Sequence, residues 1–455
     1  MVHPFKGEGM KKSALIGVAA TAAATLLLAA CSSSGTTTES SAAAPAASVA
    51  PAEPAASAAP AEPAASAAAA SCDPLNIHIV AAKTGIISPF DIEPAESFEM
   101  AIDELNAAGG ICGQQATYTW TDTKSDPALT TQIAEEAVAA GANIIVTTCD
   151  FDFAAPAATV AQANNIPALS LCLGDRKGTD LTTIGPMSLS PSPGNAFKGS
   201  AAAEFAYNTK DWKNAYILQD DLLEYTKSLG AYFKGRFAEL GGTLVGEDVF
   251  TGNEQLDPSV NVTRLREAAA DADVIIIPSV VPAATTMIKA IRDAGIDTPI
   301  MMPGGAVDGT LVTGSITDIS DFYSLPFACM PAYCEGDPNP NVKTFSDAFT
   351  AKWGAPPTLS YPVLSYELAK ALGAAVEQAQ ATDGPAIINA FETLPATDYL
   401  TGPIKWSPTC HHTTGRQQRV VEYQNGKGKF VMLITPEKIG SVDPGNPCET
   451  AQSAS

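Results

Sequence analysis

The sequence is poor in positive charge. Its 455 residues include 26 lysines and arginines against 49 aspartates and glutamates, so the formal net charge is −23 at pH 7. Nucleic acids and anionic membrane surfaces both attract basic proteins through their phosphates. The charge balance therefore argues against a nucleic-acid partner and against purely electrostatic attachment to a membrane.

Motifs of the common catalytic sites are absent as well. The chain has no G-x-S-x-G nucleophile turn, no H-E-x-x-H zinc helix, no G-x-G-x-x-G dinucleotide loop and no phosphate-binding G-x-x-x-x-G-K loop. We therefore predict a protein that is not an enzyme and that carries no cofactor.

Histidine is scarce, with four residues in the whole chain. Cys410, His411 and His412 offer zinc-type ligands, but adjacent residues of a strand point to opposite sides, and Cys410 has possible disulfide partners. We predict no metal at this position. His78 is predicted to be a half-buried residue of the first strand.

Residues 1–31 are typical of a bacterial export signal. Lys11 and Lys12 precede an uncharged apolar run over residues 14–30, and translation could start at Met1 or at Met10. The run ends in Leu-Ala-Ala-Cys, which resembles a lipobox and marks Cys31 for lipidation. The alternatives are a plain signal peptide or a transmembrane helix, although the run is short for a membrane span and rich in alanine. We predict a lipid anchor on the extracytoplasmic face of the cell membrane.

Residues 32–71 consist almost entirely of Ala, Ser, Pro, Thr and Glu, and Pro-Ala-Glu-Pro-Ala-Ala-Ser occurs twice. Such a composition cannot bury a core, so we predict a disordered tether. Residues 449–455 are predicted to be a tail.

Besides Cys31 the chain has eight cysteines. An even number in an exported chain suggests disulfides, although sequence alone leaves the pairing open. We favour the three pairs that close short loops, which leaves the two remaining cysteines as the fourth pair. The predicted pairs are Cys149–Cys172, Cys329–Cys334, Cys410–Cys448 and Cys72–Cys112.

From residue 77 to about residue 300, short apolar runs alternate with amphipathic helical stretches, which is the order expected of βαβ units and mostly parallel sheets. Strands are predicted at 77–81, 143–147, 168–171, 215–219, 274–277 and 299–302. One helix is predicted over 94–107, starting at Pro94, and another ends at Gly241.

The pattern restarts near residue 194, and the part from residue 72 onward is too long for one ordinary core, so the fold class is α/β with two lobes. Later helices are predicted at 341–353 and 361–380, with β-rich segments at 402–406, 419–423 and 430–434. We assign 72–193 with 321–398 to lobe 1, and 194–320 with 399–448 to lobe 2. A cleft between such lobes is a common ligand site.

The stretch from Ala101 to Ile111, Ala-Ile-Asp-Glu-Leu-Asn-Ala-Ala-Gly-Gly-Ile, resembles the periplasmic branched-chain amino-acid-binding family of ABC importers. Further matches are spread over the folded part. They include Ser125-Asp126-Pro127, Asn165-Ile166-Pro167, Leu240-Gly241-Gly242, Arg292-Asp293-Ala294-Gly295, Tyr366-Glu367-Leu368-Ala369 and Gly402-Pro403-Ile404-Lys405-Trp406.

This resemblance implies a type I periplasmic-binding-protein fold, with two doubly wound Rossmann-like lobes joined by a three-segment hinge. It also implies that loops after the strands of both lobes hold a small ligand for an ABC permease. We further predict that the protein is a monomer. The ligand-binding residues expected on this basis are Phe90, Asp150, Phe151, Asp152, Leu173, Gly174, Asp175, Tyr225, Gly304 and Asp308.

The expected ligand loops differ from those of amino-acid-binding relatives. The usual serines are replaced by Cys149 to Phe153, Gly304 stands where relatives carry a glutamate, and Asp308 is out of step with that position. Tyr225 matches the tyrosine that covers the cleft. The predicted ligand is a small polar metabolite, an amino acid or amide first and a cationic amine second, because aspartates beside aromatic rings suit cations. These aspartates could instead cap helices. A ligand sensor that signals to a membrane partner is the alternative function.

Overall fold

The computed structural model describes residues 72–443 and 447–448. The predicted signal peptide with Cys31, the tether and the tail lie outside the described residues, and these assignments remain predictions.

A five-stranded parallel sheet organises the first part of the described chain. Its strand order is β2-β1-β3-β4-β5. Strands β1, β3 and β4 are central and largely apolar, so helices can cover both faces. The elements are β1 (Asn76–Ala81), α1 (Ser88–Ala107), β2 (Thr117–Asp122), α2 (Pro127–Ala139), β3 (Ile144–Thr147), α3 (Phe151–Ala163), β4 (Ala168–Ser170) and β5 (Ser188–Leu189).

A second series of alternating helices and strands follows. It begins with α4, which is buried along its whole length and continues into a π-helical turn over Phe205–Thr209. The elements are α4 (Gly194–Glu204), β6 (Asn214–Asp220), α5 (Glu224–Glu239), β7 (Thr243–Phe250), α6 (Ser259–Ala268), β8 (Val274–Ile276), α7 (Ala283–Asp293), β9 (Ile300–Met302), α8 (Gly309–Thr313) and β10 (Phe322–Ser324).

The C-terminal elements complete both halves. They are β11 (Cys334–Glu335), α9 (Asn341–Trp353), α10 (Pro362–Ala379), α11 (Gly384–Thr393), β12 (Thr397–Tyr399), β13 (Gly402–Ser407), β14 (Cys410–Thr414), β15 (Gln418–Gln424) and β16 (Lys427–Ile434). Helices α9 and α10 pack on α1, whereas β15 and β16 join an eight-stranded sheet of order β11-β16-β15-β10-β9-β8-β6-β7. Strands β12, β13 and β14 form a small third sheet.

We call the elements around the five-stranded sheet, with α9 and α10, the first lobe, and those around the eight-stranded sheet the second lobe. The chain passes between the lobes near residues 190–194, 325–329 and 414–418. The first crossing segment is hydrogen bonded to β14, and the third is hydrogen bonded to the second: Ser190 N donates to His411 O at 2.9 Å, and Gln418 Nε2 donates to Pro326 O at 2.7 Å. The fold is the predicted two-lobed α/β arrangement, while the predicted lobe boundaries remain predictions.

The secondary-structure prediction was wrong at the start of α1 and missed several strands. Helix α1 begins at Ser88 with Pro89 in its first turn, so Pro94 lies inside the helix and does not start it. Strands β2 and β7 were not predicted, because both are edge strands with mostly exposed or half-buried residues and no apolar run. Asp126 caps α2 through the amides of Ala128 and Leu129.

All four favoured disulfide pairings are present: Cys72–Cys112, Cys149–Cys172, Cys329–Cys334 and Cys410–Cys448. The pair Cys149–Cys172 joins the loops that follow β3 and β4. It therefore fixes two neighbouring loops at the carboxyl edge of the first sheet.

Candidate ligand-binding cleft

A narrow cavity of about 30 Å³ lies between the two lobes. That volume holds about two water molecules. The wall combines loops after β1, β3 and β4 of the first lobe with loops after β6, β8 and β9 of the second. The lining residues are Ile87, Phe90, Cys149, Asp150, Cys172, Leu223, Tyr225, Val280, Ala306 and Tyr361. Most of this surface is apolar or aromatic, and Asp150 is its one carboxyl group.

Contacts between the lobes close the cavity. The hydroxyls of Tyr225 and Tyr361 share a hydrogen bond of 3.2 Å, and the amide of Glu224 donates to Asp152 Oδ2 at 3.0 Å. Lys177 also forms an ion pair with Glu224. These bonds join loops of different lobes and hold the two sides of the cavity together.

Asp150 is both a helix cap and a cavity wall. Its carboxylate accepts the amide of Asp152 at 2.9 Å at the start of α3, and 7 % of the residue is exposed. Burial raises the pKa of Asp150 well above its usual value, and the nearby carboxylates of Asp152 and Asp175 add to this rise. A cation entering the cavity would reverse that effect by stabilising the ionised form.

Asp91, which was not predicted as a site residue, holds the loops under the cavity. Its carboxylate accepts the amide of Ala82 at 2.8 Å, the hydroxyl of Thr148 at 2.9 Å and the amide of Cys149 at 3.0 Å. Burial raises the pKa of Asp91 to about 6 despite these bonds. The group ties α1 to the ends of β1 and β3, and so positions Asp150.

Of the ten residues predicted to bind ligand, the structure brings three into the cavity wall, namely Phe90, Asp150 and Tyr225. Gly304 lies directly behind the wall, because a Cβ there would be 2.6 Å from the Tyr225 hydroxyl. Asp152 makes the contact between lobes, and half-buried Phe151 packs with the apolar core beside α2 and α3.

The predicted residues after β4 lie beside the cavity and not in its wall. The Leu173 amide donates to Ser170 Oγ at 3.0 Å, so it is already engaged. Asp175 is buried and caps a short 3₁₀ turn through the amide of Lys177. Burial raises the pKa of Asp175. Gly174 faces a separate group of polar side chains.

Asp308 is not part of the cavity wall and is fully buried. Neither carboxylate oxygen has a hydrogen bond of standard geometry within the described part of the chain. Burial raises the pKa of Asp308 well above its usual value, and Ser360 opposes this rise only in part. Burial thus disfavours the charged form of Asp308.

The zinc alternative at the C-terminal end finds no support. Cys410 is bonded to Cys448, while His411 contacts the Ser188 carbonyl at 2.9 Å and Glu392 at 3.0 Å. Residues 72–443 contain no cluster of histidine, cysteine and carboxylate side chains arranged to hold a metal ion. His78 is half-buried in β1, as predicted. The same range contains no helix with the length and apolar character of a membrane span.

A two-lobed α/β protein whose cavity lies between the lobes, at the carboxyl ends of the strands, has the architecture of a binding protein that closes on a small molecule. The model of the periplasmic binding protein family matches residues 74–428. The chain therefore belongs to the periplasmic binding protein family.

Individual relatives agree with this assignment. A Leu/Ile/Val-binding protein homologue of Brucella melitensis is 25% identical over 330 residues, which covers 70% of this chain and 83% of that protein. The substrate-binding protein LivJ of Streptococcus pneumoniae, solved with isoleucine, has a TM-score of 0.71 at 20% identity and covers 80% of this chain and 100% of its own. A solute-binding protein of R. palustris, solved with benzoate, has a TM-score of 0.68 at 17% identity over 83% of this chain and 100% of its own.

These relatives are binding proteins of transport systems and not enzymes. Members of the family act outside the cytoplasm, together with a small ligand and the membrane components of an ABC transporter. The predictions of a non-enzymatic binding protein and of this family are confirmed.

Proposed function

We propose that this protein captures an amino acid with an apolar or aromatic side chain and delivers it to an ABC permease, by closing its two lobes around the ligand. The observation that carries the proposal is the cavity itself. Its wall comes from both lobes, and hydrogen bonds between Tyr225 and Tyr361 and between Glu224 and Asp152 hold it shut. A ligand that touches both lobes favours the closed state by its differential affinity for that state.

The lining supports the ligand class. Ile87, Phe90, Leu223 and Val280 offer apolar surface, which suits a side chain such as that of leucine or phenylalanine. The buried carboxyl of Asp150 offers a partner for an ammonium group, and a charge-assisted hydrogen bond there contributes about 1.5–3 kcal/mol. The cavity of about 30 Å³ is smaller than any amino acid, so the bound state needs the lobes or the Tyr225 ring to give way.

A ligand screen tests this proposal. Thermal shift followed by titration calorimetry would compare leucine, isoleucine, valine, phenylalanine, glutamine, benzoate and the amines putrescine and 3-methylbutylamine. We expect apolar amino acids to raise the melting temperature and the others to have little effect. Binding of amines without amino acids would support the cationic-ligand alternative, and benzoate alone would replace the proposed ligand by an aromatic acid.

Asp150→Asn tests the role assigned to the carboxyl group. We expect at least tenfold weaker binding of the amino acid, because the amide cannot form an ion pair with ammonium. Asp126→Asn is the matched control, since Asp126 also caps a helix of the first lobe but is exposed and lies outside the cavity wall. Equal affinity of both variants would remove Asp150 from the site.

We also propose that the mature protein is a monomer anchored by a lipid on Cys31, with residues 32–71 as its tether. The lipobox-like residues Leu28 to Cys31 support this proposal. Metabolic labelling with an alkyne fatty acid should mark the wild type and not Cys31→Ser, and the variant should be released from the membrane fraction.

A further inference from the structure

Lys198 is a buried cation that no part of the proposed function uses. It lies in α4 with 0 % exposure, and its ammonium has no hydrogen-bond partner among residues 72–443. The nitrogen is 4.9 Å from the centre of the Tyr225 ring and 5.6 Å from that of Phe327. Burying an ammonium without hydrogen bonds is costly, so its position calls for a functional reason.

The Asn195 side chain points its oxygen into the same space. Its Nδ2 donates to the Tyr225 carbonyl at 3.1 Å and to Ser228 Oγ at 2.9 Å, and these two bonds fix the orientation of the amide. The oxygen, Oδ1, has no partner in the described part of the chain. Two buried polar groups on one helix are therefore left unsatisfied side by side.

Gly174 has no side chain, which leaves room for Asn195 Oδ1 and Lys198 Nζ. A Cβ at that position would lie 2.4 Å from Asn195 Oδ1 and 2.6 Å from Lys198 Nζ, so any other residue would collide with both atoms. The two atoms thus meet above the same backbone position, on the loop after β4. Loops of the first lobe and a helix of the second lobe form this space together, as they do in the ligand cavity.

The charges around Lys198 do not neutralise it by direct contact. Burial lowers the pKa of Lys198 to about 7, and the Asp175 carboxylate opposes that effect without forming an ion pair. His412 also faces this region. The pKa of His412 is lowered to about 4, first by burial and in part by Lys198, and its Nε2 lacks a partner among residues 72–443. The region thus has one poorly compensated positive group.

We propose that Lys198 binds the carboxylate of the ligand, with Asn195 as a positioning residue whose Oδ1 lies beside the ammonium. This inference rests on the proposed function and deepens it. Tyr225 lines the cavity and has Lys198 over its ring, so a ligand that displaces that ring would reach the ammonium. Asp150 then meets the ammonium and Lys198 the carboxylate, and the cleft recognises both ends of a zwitterion. Lys198 takes the place of the missing serines.

Amino acids and their primary amides distinguish this role from a structural one. The probes are L-leucine with L-leucinamide, and L-phenylalanine with L-phenylalaninamide. Each amide keeps the ammonium and the side chain but has no carboxylate. In Lys198→Met we expect at least tenfold weaker binding of the amino acid and less than a twofold change for its amide. Equal loss for both probes would mean that Lys198 only supports the Tyr225 ring, and that result would overturn the inference.

Lys210→Met is the matched control. Lys210 is a second lysine over aromatic rings, 5.3 Å from Trp212 and 4.6 Å from Tyr323, and it lies outside the cavity wall. This variant should bind both probes as the wild type does. Gly174→Ala is a second test of the site, because its methyl group enters the space of Nζ and Oδ1. It should weaken amino-acid binding more than amide binding.

Proton uptake gives a second readout. At pH 8 the free Lys198 is mostly neutral, and a bound carboxylate would raise its pKa. Calorimetry in two buffers of different ionisation enthalpy should show that the wild type takes up as much as one proton more per L-leucine than Lys198→Met does, since any proton released at Asp150 is common to both proteins. An equal proton balance in the two proteins, with unchanged affinity in the variant, overturns this inference alone. If no amino acid binds the wild type, the proposed function fails and this inference fails with it.

Discussion

Two groups of buried charge lie within one fold and are treated in opposite ways. We call Asp337, Glu367, Thr401, Arg416 and Arg419 the crossover network, because two of its members lie at or beside the third crossing segment. There Arg419 donates to both oxygens of Asp337, at 3.0 and 3.1 Å, and Arg416 pairs with Glu367 at 3.0 Å. Each carboxylate faces a guanidinium. In the cleft, Asp150 and Lys198 have no such partner.

The comparison shows that buried charges are paired in the crossover network and left unpaired in the cleft. Paired buried charges are neutral to stability as a unit, but breaking one pair is costly. An unpaired buried charge lowers stability until something binds it. The crossover network therefore fixes the connection between the lobes, while the cleft holds groups that a ligand can satisfy.

The largest expected effect comes from breaking the crossover network. Arg419→Ala leaves the Asp337 carboxylate buried without its cation and removes the bond from Arg419 Nη1 to the Thr401 carbonyl at 3.1 Å. We expect the free energy of unfolding to fall by about 3–5 kcal/mol. Urea denaturation measures this change. Arg264→Ala is the control, since its pair with Asp248 has a guanidinium that is 60% exposed and should contribute under about 1 kcal/mol. Similar losses of stability in both variants would show that the buried pair contributes no more than the exposed one.

The same experiment on the cleft should give the opposite sign. Lys198→Met replaces a buried ammonium by an apolar chain of similar size, and we expect a gain of about 1–4 kcal/mol in the ligand-free protein at pH 6. The folded pKa of about 7 lies below that of an unfolded lysine, so the buried ammonium destabilises the wild type to its full extent below pH 7. The gain should shrink as the pH rises from 7 towards 10. A loss of stability at pH 6 would show that Lys198 is part of the scaffold.

A third prediction concerns His412, which is neutral and buried beside the first crossing segment. Its Nδ1 contacts the Ser192 carbonyl at 3.1 Å, and its pKa is lowered to about 4. A histidine with a depressed folded pKa contributes stability above pH 6.5 that is lost as the pH falls towards 4. The advantage of the wild type over His412→Gln should fall by about 1 kcal/mol between pH 7 and pH 5.5. Parallel stability curves for the two proteins over this range would contradict the assignment.

The smallest effect is expected at the contact between the lobes. Asp152→Ala removes the acceptor of the Glu224 amide, a bond of 3.0 Å between the two lobes. We expect the free energy of closing the lobes to become less favourable by about 1 kcal/mol, which corresponds to roughly fivefold weaker ligand binding. Asp152→Asn keeps an acceptor oxygen and should recover most of the affinity. Calorimetry on the three proteins decides this, and equal affinity of all three would show that the contact does not contribute to closure.

The fold was largely predictable because buried parallel strands consist of consecutive apolar residues. Residues 144–147 and 274–276 are such runs, and both are central strands. Edge strands β2 and β7 carry no such run, since only part of their surface is buried, and α1 offered two prolines of which the earlier one starts the helix. Local sequence could not decide between Pro89 and Pro94.

The site was predictable only in part. Asp150 and Tyr225 were expected at the cleft because the sequence resembles the periplasmic branched-chain amino-acid-binding family, whose ligand loops follow the strands of both lobes. Lys198 was missed because its surroundings come from Gly174, Tyr225 and Phe327, which are far apart in the chain. One signal was present: residues 194–203 are small or apolar apart from Asn195, Lys198 and Ser200, so a lysine there lies on a helix with no exposed face.

The bond between Cys149 and Cys172 has a consequence for where binding can take place. Both sulfur atoms belong to residues of the cavity wall, so the wall is complete only where disulfides form. A chain still in a reducing cytoplasm carries two thiols at that position, on loops that are no longer tied together. Formation of the ligand-binding surface thus depends on an oxidising compartment as well as on the sequence. Affinities measured on the reduced protein would refer to a cavity wall that lacks its disulfide bond.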